Sequence, residues 1–196
     1  MLDAWLPAPE ERLSGGTLYD KRLIKGLRNN GVPVSTHWVD VETFDLDWAA
    51  SKSTLHLVDG LLFHLKPEAF LQAHKARFIY LSHLPFWLEP GIGEKEKSDR
   101  KEKELAFMKR CQCVISTSPF IKKQLVSAGI DEAKCEVIKP EKSPLKAKSD
   151  YGIKPQSFLM VASVHYGKGI DILISALAQL SKLDWQLNVV GAVDPT

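Results

Sequence analysis

The sequence predicts an α/β fold with a Rossmann-like parallel sheet flanked by helices. Short apolar runs typical of buried strands alternate along the chain with runs that carry apolar residues at helical spacing. That alternation is the order of βαβ units, whose crossovers are right-handed and build a parallel sheet. With 196 residues, 44% of them hydrophobic, the chain has room for one large domain or for one domain and part of another.

The first forty residues are predicted to open this sheet with a strand, a helix and a second strand. A short apolar segment at residues 4–6 is the first strand, and the prolines that follow end it. Ser14 is suited to cap the helix, because its hydroxyl can accept a hydrogen bond from a free backbone N–H. Asn-Asn-Gly at residues 29–31 stops the helix. Residues 32–39 alternate apolar and polar side chains, which indicates a strand.

The middle of the chain continues the same alternation. Four strands are predicted at residues 55–58, 77–82, 113–115 and 135–138. Helices are predicted at residues 67–74 and 119–129, each opened by a proline that suits the first helical turn. Every residue from 94 to 104 except Ser98 is charged, with mixed signs, which indicates a solvated helix face or a flexible segment rather than a binding site.

Residues 139–155 break the pattern, because proline, lysine and serine dominate and periodicity is lost. We therefore predict a first domain at residues 1–140, a linker at 141–156 and an incomplete second domain at 157–196. The second domain is predicted as a strand at 157–163, a helix at 169–182 and a strand at 185–190.

Lys168, flanked by two glycines, stands where the helix of the second domain is predicted to begin. Backbone N–H groups and the helix dipole favour an anion at such a place, so the pattern predicts a phosphate or diphosphate site. A surface lysine at an ordinary strand–helix turn would look the same. Gly15 and Gly16 at the first helix start are open to the same two interpretations, either contact with a ligand or a flexible N-cap.

His83 stands at the carboxyl end of a predicted strand, where ligands bind in open α/β sheets. It is better placed for function than the other histidines, although a single histidine can equally be structural. The apolar loop that follows places Phe86 and Trp87 side by side. These rings either border an acceptor pocket or pack into the core.

Composition excludes several classes of function. A net charge of +2 and a pI of about 8.3 are too balanced to indicate a nucleic-acid partner. No apolar run reaches the length of a membrane helix, and the first residues do not form a signal peptide. Three cysteines, an odd number, fit a reducing cytoplasm. No second Cys or His pair has the spacing of zinc ligands, so no metal is predicted.

Four stretches of the chain resemble retaining glycosyltransferases of the group 1 type (family four), which have the GT-B fold of two facing Rossmann-like domains. They are SGGTLYDKRLIKGLRNNG at 14–31, LSHLPFWLEPG at 81–91, CVISTSPFIKKQLVSAG at 113–129 and FLMVASVHYGKGIDILISALAQLSKLDWQLNVVG at 158–191. On this resemblance the chain comprises the N-terminal GT-B domain and the first β-α-β unit of the C-terminal domain.

The resemblance implies a role for particular residues. His83 would be catalytic, orienting the reacting sugar or the acceptor hydroxyl. From its position at the carboxyl end of a central strand we predict that it lies in the interdomain cleft and matters for turnover more than for folding. The donor and its diphosphate would be bound by Gly15, Gly16, Ser163, Lys168 and Gly169. Ser163 stands where the family usually has an arginine, and a serine cannot form the bidentate clamp of an arginine. The acceptor side would comprise Thr17, Phe86, Trp87 and Glu89. No metal and no cofactor are implied.

The activity implied is transfer of a sugar from a nucleotide-diphosphate donor to an unidentified acceptor, with retained configuration. In the family the second domain carries a Glu-x7-Glu motif that contacts the donor sugar and nucleotide. Residues 157–196 contain no glutamate, so we expect the 196-residue chain not to transfer sugar by itself. We also expect its second segment to dock on the first domain or on a second copy of the chain. The alternatives are a sugar-nucleotide epimerase of the same architecture and a non-enzymatic α/β binding module.

Overall fold

The computed structural model describes residues 2–9, 14–42, 55–73, 75–141, 157–164 and 166–193. The chain divides into two compact units. One consists of Met1–Leu88 with Ile92–Lys142, and the other of Glu89–Gly91 with Ser143–Thr196. The predicted linker at residues 141–156 lies outside the described residues except for Glu141, so the predicted domain boundaries stay a prediction.

The first unit is a Rossmann-like α/β domain built on a six-stranded parallel sheet. Its strands are β1 (Leu2–Pro7), β2 (Val34–Val39), β3 (Leu55–Asp59), β4 (Arg77–Ser82), β5 (Cys113–Ser116) and β6 (Cys135–Val137). They lie in the order β2-β1-β3-β4-β5-β6, and every neighbouring pair is parallel. The predicted α/β fold with a parallel sheet flanked by helices is therefore confirmed.

Helices connect these strands, with capping and proline positions that follow from the sequence. They are α1 (Gly15–Asn29), α2 (Gly60–Leu65), α3 (Pro67–Gln72), α4 (Glu94–Arg110) and α5 (Pro119–Ser127). Ser14 caps α1 by accepting a hydrogen bond from the backbone N–H of Thr17, and Ser118 caps α5 in the same way. The charged run at residues 94–104 forms the first part of α4. No described helix combines the length and the apolar character needed to cross a membrane.

The two faces of the sheet carry cores of different size. The larger core packs α2 to α5 on one face and includes a cluster of rings, namely Phe63, Phe70, Phe78, Tyr80 and Phe107. The smaller core packs α1 on the other face, through Tyr19 and Ile24. Alternate residues of each strand point to opposite faces, which is why Trp5 joins the larger core while Ala4 and Leu6 join the smaller. Because parallel strands end at the same edge, β1, β3 and β4 all finish beside the start of α1.

The second unit is a small parallel sheet with one helix. Its elements are β7 (Ser157–Val161), α6 (Ile170–Ala178) and β8 (Gln186–Val190), so the predicted β-α-β order is confirmed. The helix ends four residues before its predicted end at residue 182. Beyond Ala178 the backbone N–H groups of residues 179, 180 and 183 bond three residues back, a tighter pattern that replaces the α-helical one.

Exposed apolar side chains lie on all three elements of the second unit. They are Phe158, Leu159, Val161, Ile172, Ile174, Val189 and Val190. A two-stranded sheet with one helix leaves such faces open. Docking of this unit on another surface stays a prediction.

Gly60, at the start of α2, has no room for a side chain. A Cβ there would lie 2.7 Å from the hydroxyl oxygen of Tyr80 and 3.2 Å from the carbonyl oxygen of Leu81. Tyr80 is fully buried and donates to Glu104, so it cannot move away without breaking that bond. We expect Gly60→Ala to lower the free energy of unfolding by about 1–3 kcal/mol, the usual penalty of overpacking.

Urea denaturation measures this effect, and Gly26→Ala in the last turn of α1 is the matched control. A Cβ at Gly26 meets nothing within 4 Å, so alanine there should be neutral or should stabilise the helix by roughly 0.5–1 kcal/mol. Equal stability of Gly60→Ala and the unchanged protein would show that the contact with Tyr80 relaxes freely.

Candidate functional site

A cavity of about 270 Å³ lies at the carboxyl edge of the sheet in the first unit. The ends of β1 and β3, the residue after β4 and the start of α1 enclose it. Its polar lining consists of Ser14, Thr17, Asp20, Asp59 and His83, with Gly16 beside them. The predicted position of His83 at the carboxyl end of a central strand is thus the position that the fold gives it.

His83 lies between two buried carboxylates. Its Nε2 atom is 3.1 Å from Oδ1 of Asp20, on α1, and 3.1 Å from Oδ2 of Asp59, the last residue of β3. The side chains of Asp20 and Asp59 are only 1% and 4% exposed, whereas that of His83 is 27% exposed. The three side chains, here called the Asp–His–Asp cluster, all line the cavity, and the imidazole is the most exposed of them.

Neighbouring groups hold the Asp–His–Asp cluster in place. The second carboxylate oxygen of Asp59 accepts from the backbone N–H of Leu61 at 2.6 Å, which also caps α2. The Thr117 hydroxyl donates to the carbonyl oxygen of His83 at 3.2 Å. The Tyr19 ring meets the imidazole edge-on, with 5.1 Å between ring centroids. The site thus combines a side chain from a helix, one from the end of β3 and one from the residue after β4, each fixed by its own surroundings.

Burial and mutual charge shift the proton affinities of this cluster. Burial raises the pKa of Asp20 to about 6, and the negative charge of Asp59 adds to this, although His83 opposes it. Burial alone would lower the pKa of His83, but hydrogen bonds to Asp20 and Asp59 and their negative charges outweigh it and raise that pKa to about 10. Without another cation in the cavity, the imidazole of His83 is therefore protonated at neutral pH.

The glycine-rich start of α1 borders the same cavity. A Cβ at Gly16 would lie 3.7 Å from Nε2 of His83, an ordinary contact distance, and a Cβ at Gly15 would meet nothing within 4 Å. Neither glycine has a positive φ. The fold therefore does not require glycine at these two positions, and both interpretations of the loop, ligand contact and flexible N-cap, stay open.

The predicted acceptor-side residues have different surroundings. Trp87 is buried in the larger core, as the packing interpretation of its loop predicts. Phe86 is half-buried, stacks on His64 at 4.2 Å and donates its backbone N–H to Glu104. Thr17 lines the cavity, and Glu89 is exposed. Contact of these four residues with an acceptor stays a prediction.

The predicted diphosphate residues lie in the second unit. Lys168 is exposed and ends a short 3₁₀ turn, and Gly169 follows it with φ 67°, a left-handed conformation that favours glycine. Gly169 is the N-cap of α6, so Lys168 does stand at a helix start, as predicted. Ser163 is exposed beyond the end of β7.

A larger cavity, of about 600 Å³, lies along the other side of α1. Its lining is mainly apolar, with Leu18, Leu23, Leu27 and Ile138. The charged groups at its border include Arg22 and Glu141, which lie 3.9 Å apart. The described residues of its lining contain no cluster of carboxylates and imidazoles. The smaller cavity is therefore the better candidate for a catalytic or binding site.

Two residues of the site, Asp20 and Asp59, were not among the sequence predictions. Asp59 ends a buried apolar strand, and a charged residue at the end of such a strand is a signal for a functional site. The signal is ambiguous, because Asp-Gly also indicates an ordinary turn. Asp20 lies within a helix and only the fold brings it to His83. No protein-family model matches the chain, and the curated proteins include no match to its sequence.

Proposed function

We propose that this protein belongs to the retaining glycosyltransferases, which transfer a sugar from a nucleotide-diphosphate donor to an acceptor. Because residues 157–196 contain no Glu-x7-Glu motif, the 196 residues by themselves are not expected to complete the transfer. The observation that supports this best is the imidazole of His83, presented to a cavity at the carboxyl edge of a Rossmann-like sheet, opposite the glycine-rich start of α1. A second parallel unit, whose helix begins with a glycine-flanked lysine, fits the two-part architecture of such enzymes.

In this proposal the two units have different tasks. The cavity of the first unit carries two carboxylates against one imidazolium, so it favours hydroxyl-bearing groups over a diphosphate. His83 would orient a hydroxyl of the reacting sugar or of the acceptor, and Thr17 lies within the same cavity. Lys168 and the N–H groups at the start of α6 would stabilise the negative charge that develops on the departing diphosphate.

We expect Lys168→Ala to weaken binding of nucleoside diphosphates by roughly 1.5–3 kcal/mol, the range of a hydrogen bond to a charged group. UDP and GDP are the probes, and titration calorimetry is the measurement. Lys182→Ala is the matched control, since Lys182 is an exposed lysine of the same unit outside the helix start. Equal affinity of Lys168→Ala and the unchanged chain would remove Lys168 from the site, and binding of neither probe would contradict the proposed donor class.

Sugar transfer and epimerisation are separated by incubation with a nucleotide-sugar alone. A transferase needs an acceptor, whereas an epimerase of the same architecture converts the donor by itself. Epimerised donor in that mixture would favour the alternative enzyme class, and binding of neither donor nor acceptor would favour a non-enzymatic module.

A further inference from the structure

We propose that Asp20, Asp59 and His83 form a binding site for a divalent transition-metal cation, with Zn²⁺ as the preferred ion. The inference rests on the geometry of this cluster and not on the proposed transferase activity, but both use His83: with an ion on Nε2, a sugar or acceptor hydroxyl would bind the ion instead of the imidazole. Sequence spacing predicted no metal site, because these ligands come from α1, β3 and the residue after β4 and meet only in the folded sheet.

The distances within the Asp–His–Asp cluster match the coordination of one ion. All three ligand atoms lie within 4.8 Å of one another, and the imidazole nitrogen is 3.1 Å from an oxygen of each carboxylate. Zinc binds nitrogen and oxygen at about 2.1 Å, so two ligands at 90–109° around it lie roughly 3.0–3.4 Å apart. Small movements of the side chains would therefore admit the ion.

Asp20 and Asp59 each place an oxygen 3.1 Å from the same nitrogen, Nε2 of His83. A metal ion at this nitrogen can bind both oxygens, whereas one N–H cannot hydrogen-bond both equally well. The Nε2–H of an imidazolium has one direction and hydrogen-bonds Asp20, so the equally close oxygen of Asp59 is met as an ion pair. A cation beside the nitrogen lone pair can meet both carboxylates at full strength. The symmetry of the two 3.1 Å distances thus favours an ion between the three groups.

Charge balance supports the same conclusion. Asp20 and Asp59 are buried, and a buried carboxylate is stable only when it is paired or binds a cation. Among the described residues that line the cavity, none is a lysine or an arginine. The cluster holds two buried carboxylates beside a single imidazole, and the two positive charges of a divalent ion would balance both carboxylates.

The cavity leaves room for the rest of a coordination shell. Its volume of about 270 Å³ is lined by all three proposed ligands and is bordered by Ser14 and Thr17. Waters or a substrate oxygen could fill the open positions, as in zinc sites with three protein ligands. The N–H of Leu61 already orients the Asp59 carboxylate, as outer-shell groups do at metal sites. One imidazole with two carboxylates offers too few oxygens for Ca²⁺, while imidazole suits Zn²⁺.

The test is titration of the full chain, first treated with EDTA, with Zn²⁺ by calorimetry, and with Co²⁺ by visible absorption. We expect one bound ion per chain and a coordination band of Co²⁺. Asp59→Asn should weaken zinc binding at least about tenfold, since it removes a charged ligand. Asparagine caps helices as well as aspartate does, so this variant keeps the start of α2 intact, which circular dichroism verifies. His83→Gln should weaken zinc binding in the same way.

Cys113→Ser is the matched control, because Cys113 is a half-buried thiol outside the cluster and zinc also binds thiolates. Its zinc affinity should equal that of the unchanged chain. Absence of binding at millimolar Zn²⁺, or equal affinity in Asp59→Asn, or loss of binding in Cys113→Ser would each overturn the site. Because zinc binding is measured directly, a chain that binds zinc but neither UDP nor GDP would contradict the proposed function and leave the metal site standing.

Discussion

Glu104→Gln is expected to flatten the dependence of folding stability on pH between about pH 5 and pH 8. Glu104 lies on α4, is 2% exposed and accepts two hydrogen bonds, from the Tyr80 hydroxyl at 2.7 Å and from the backbone N–H of Phe86 at 3.0 Å. Burial raises its pKa to about 7, although both hydrogen bonds and the charge of Arg100 act in the opposite direction.

The direction of the effect follows from this raised pKa. The folded state holds the proton of Glu104 more tightly than the unfolded chain does, where the ordinary value is 4.5. Its contribution to stability is therefore complete below about pH 4.5 and is lost as the pH rises through 7. At about 1.4 kcal/mol for each unit of pKa, the loss is about 3 kcal/mol. Glutamine does not titrate, and it can still accept from Phe86 and pair with the Tyr80 hydroxyl.

Urea denaturation at about pH 5 and about pH 8 measures this difference. The unchanged protein should lose up to about 3 kcal/mol more than Glu104→Gln over this interval. Glu102→Gln, at an exposed position of the same helix, is the control and should keep the slope of the unchanged protein. Identical slopes for Glu104→Gln and Glu102→Gln would mean that Glu104 is ionised without penalty in the fold.

His83→Ala is expected to destabilise the first unit by about 3 kcal/mol in metal-free buffer. Removing one partner of a buried ion pair leaves its counter-charge without compensation, which costs about 3–5 kcal/mol, and the 27% exposure of His83 favours the lower end. The sequence suggested that His83 matters for turnover more than for folding. Its two carboxylate neighbours add a folding role to that proposal.

A second substitution distinguishes loss of charge from loss of packing. In the double variant His83→Ala with Asp20→Asn, one of the two uncompensated carboxylates is gone, so a good part of the lost stability should return. The comparison of both single variants and the double variant measures the coupling between the two side chains. Simple addition of the two single effects would show that the pair contributes no coupling energy, and the electrostatic account of the cluster would fail.

Elements fixed by local pattern were well predicted from the sequence. The bounds of β4 at residues 77–82 agree with the structure, and Ser14 and Pro119 mark the starts of α1 and α5 as predicted. These features depend on neighbours along the chain, namely apolar runs, caps and proline at the first turn. The charged run of α4 was ambiguous because its order depends on buried anchors at its end and beyond it, Glu104 and Phe107.

The candidate site was only half predictable, for a topological reason. His83 could be placed at the end of its strand from the apolar run before it. Its carboxylate neighbours could not be, because Asp59 meets it only if β3 lies beside β4, and Asp20 only if α1 crosses that face of the sheet. Strand order is a property of the whole sheet and leaves no mark in the spacing of these residues.

Because the cores on the two faces of the sheet differ in size, the three side chains of the site depend on packing of unequal strength. Among the described helices, α1 alone belongs to the smaller core, so the least expensive partial opening of the domain detaches α1 and leaves the strands and the other helices in place. Asp20 departs with α1, while Asp59 and His83 stay. A molecule or ion that bridges the three would therefore hold α1 against the sheet, and by mass action it would raise the fraction of molecules in which α1 is docked.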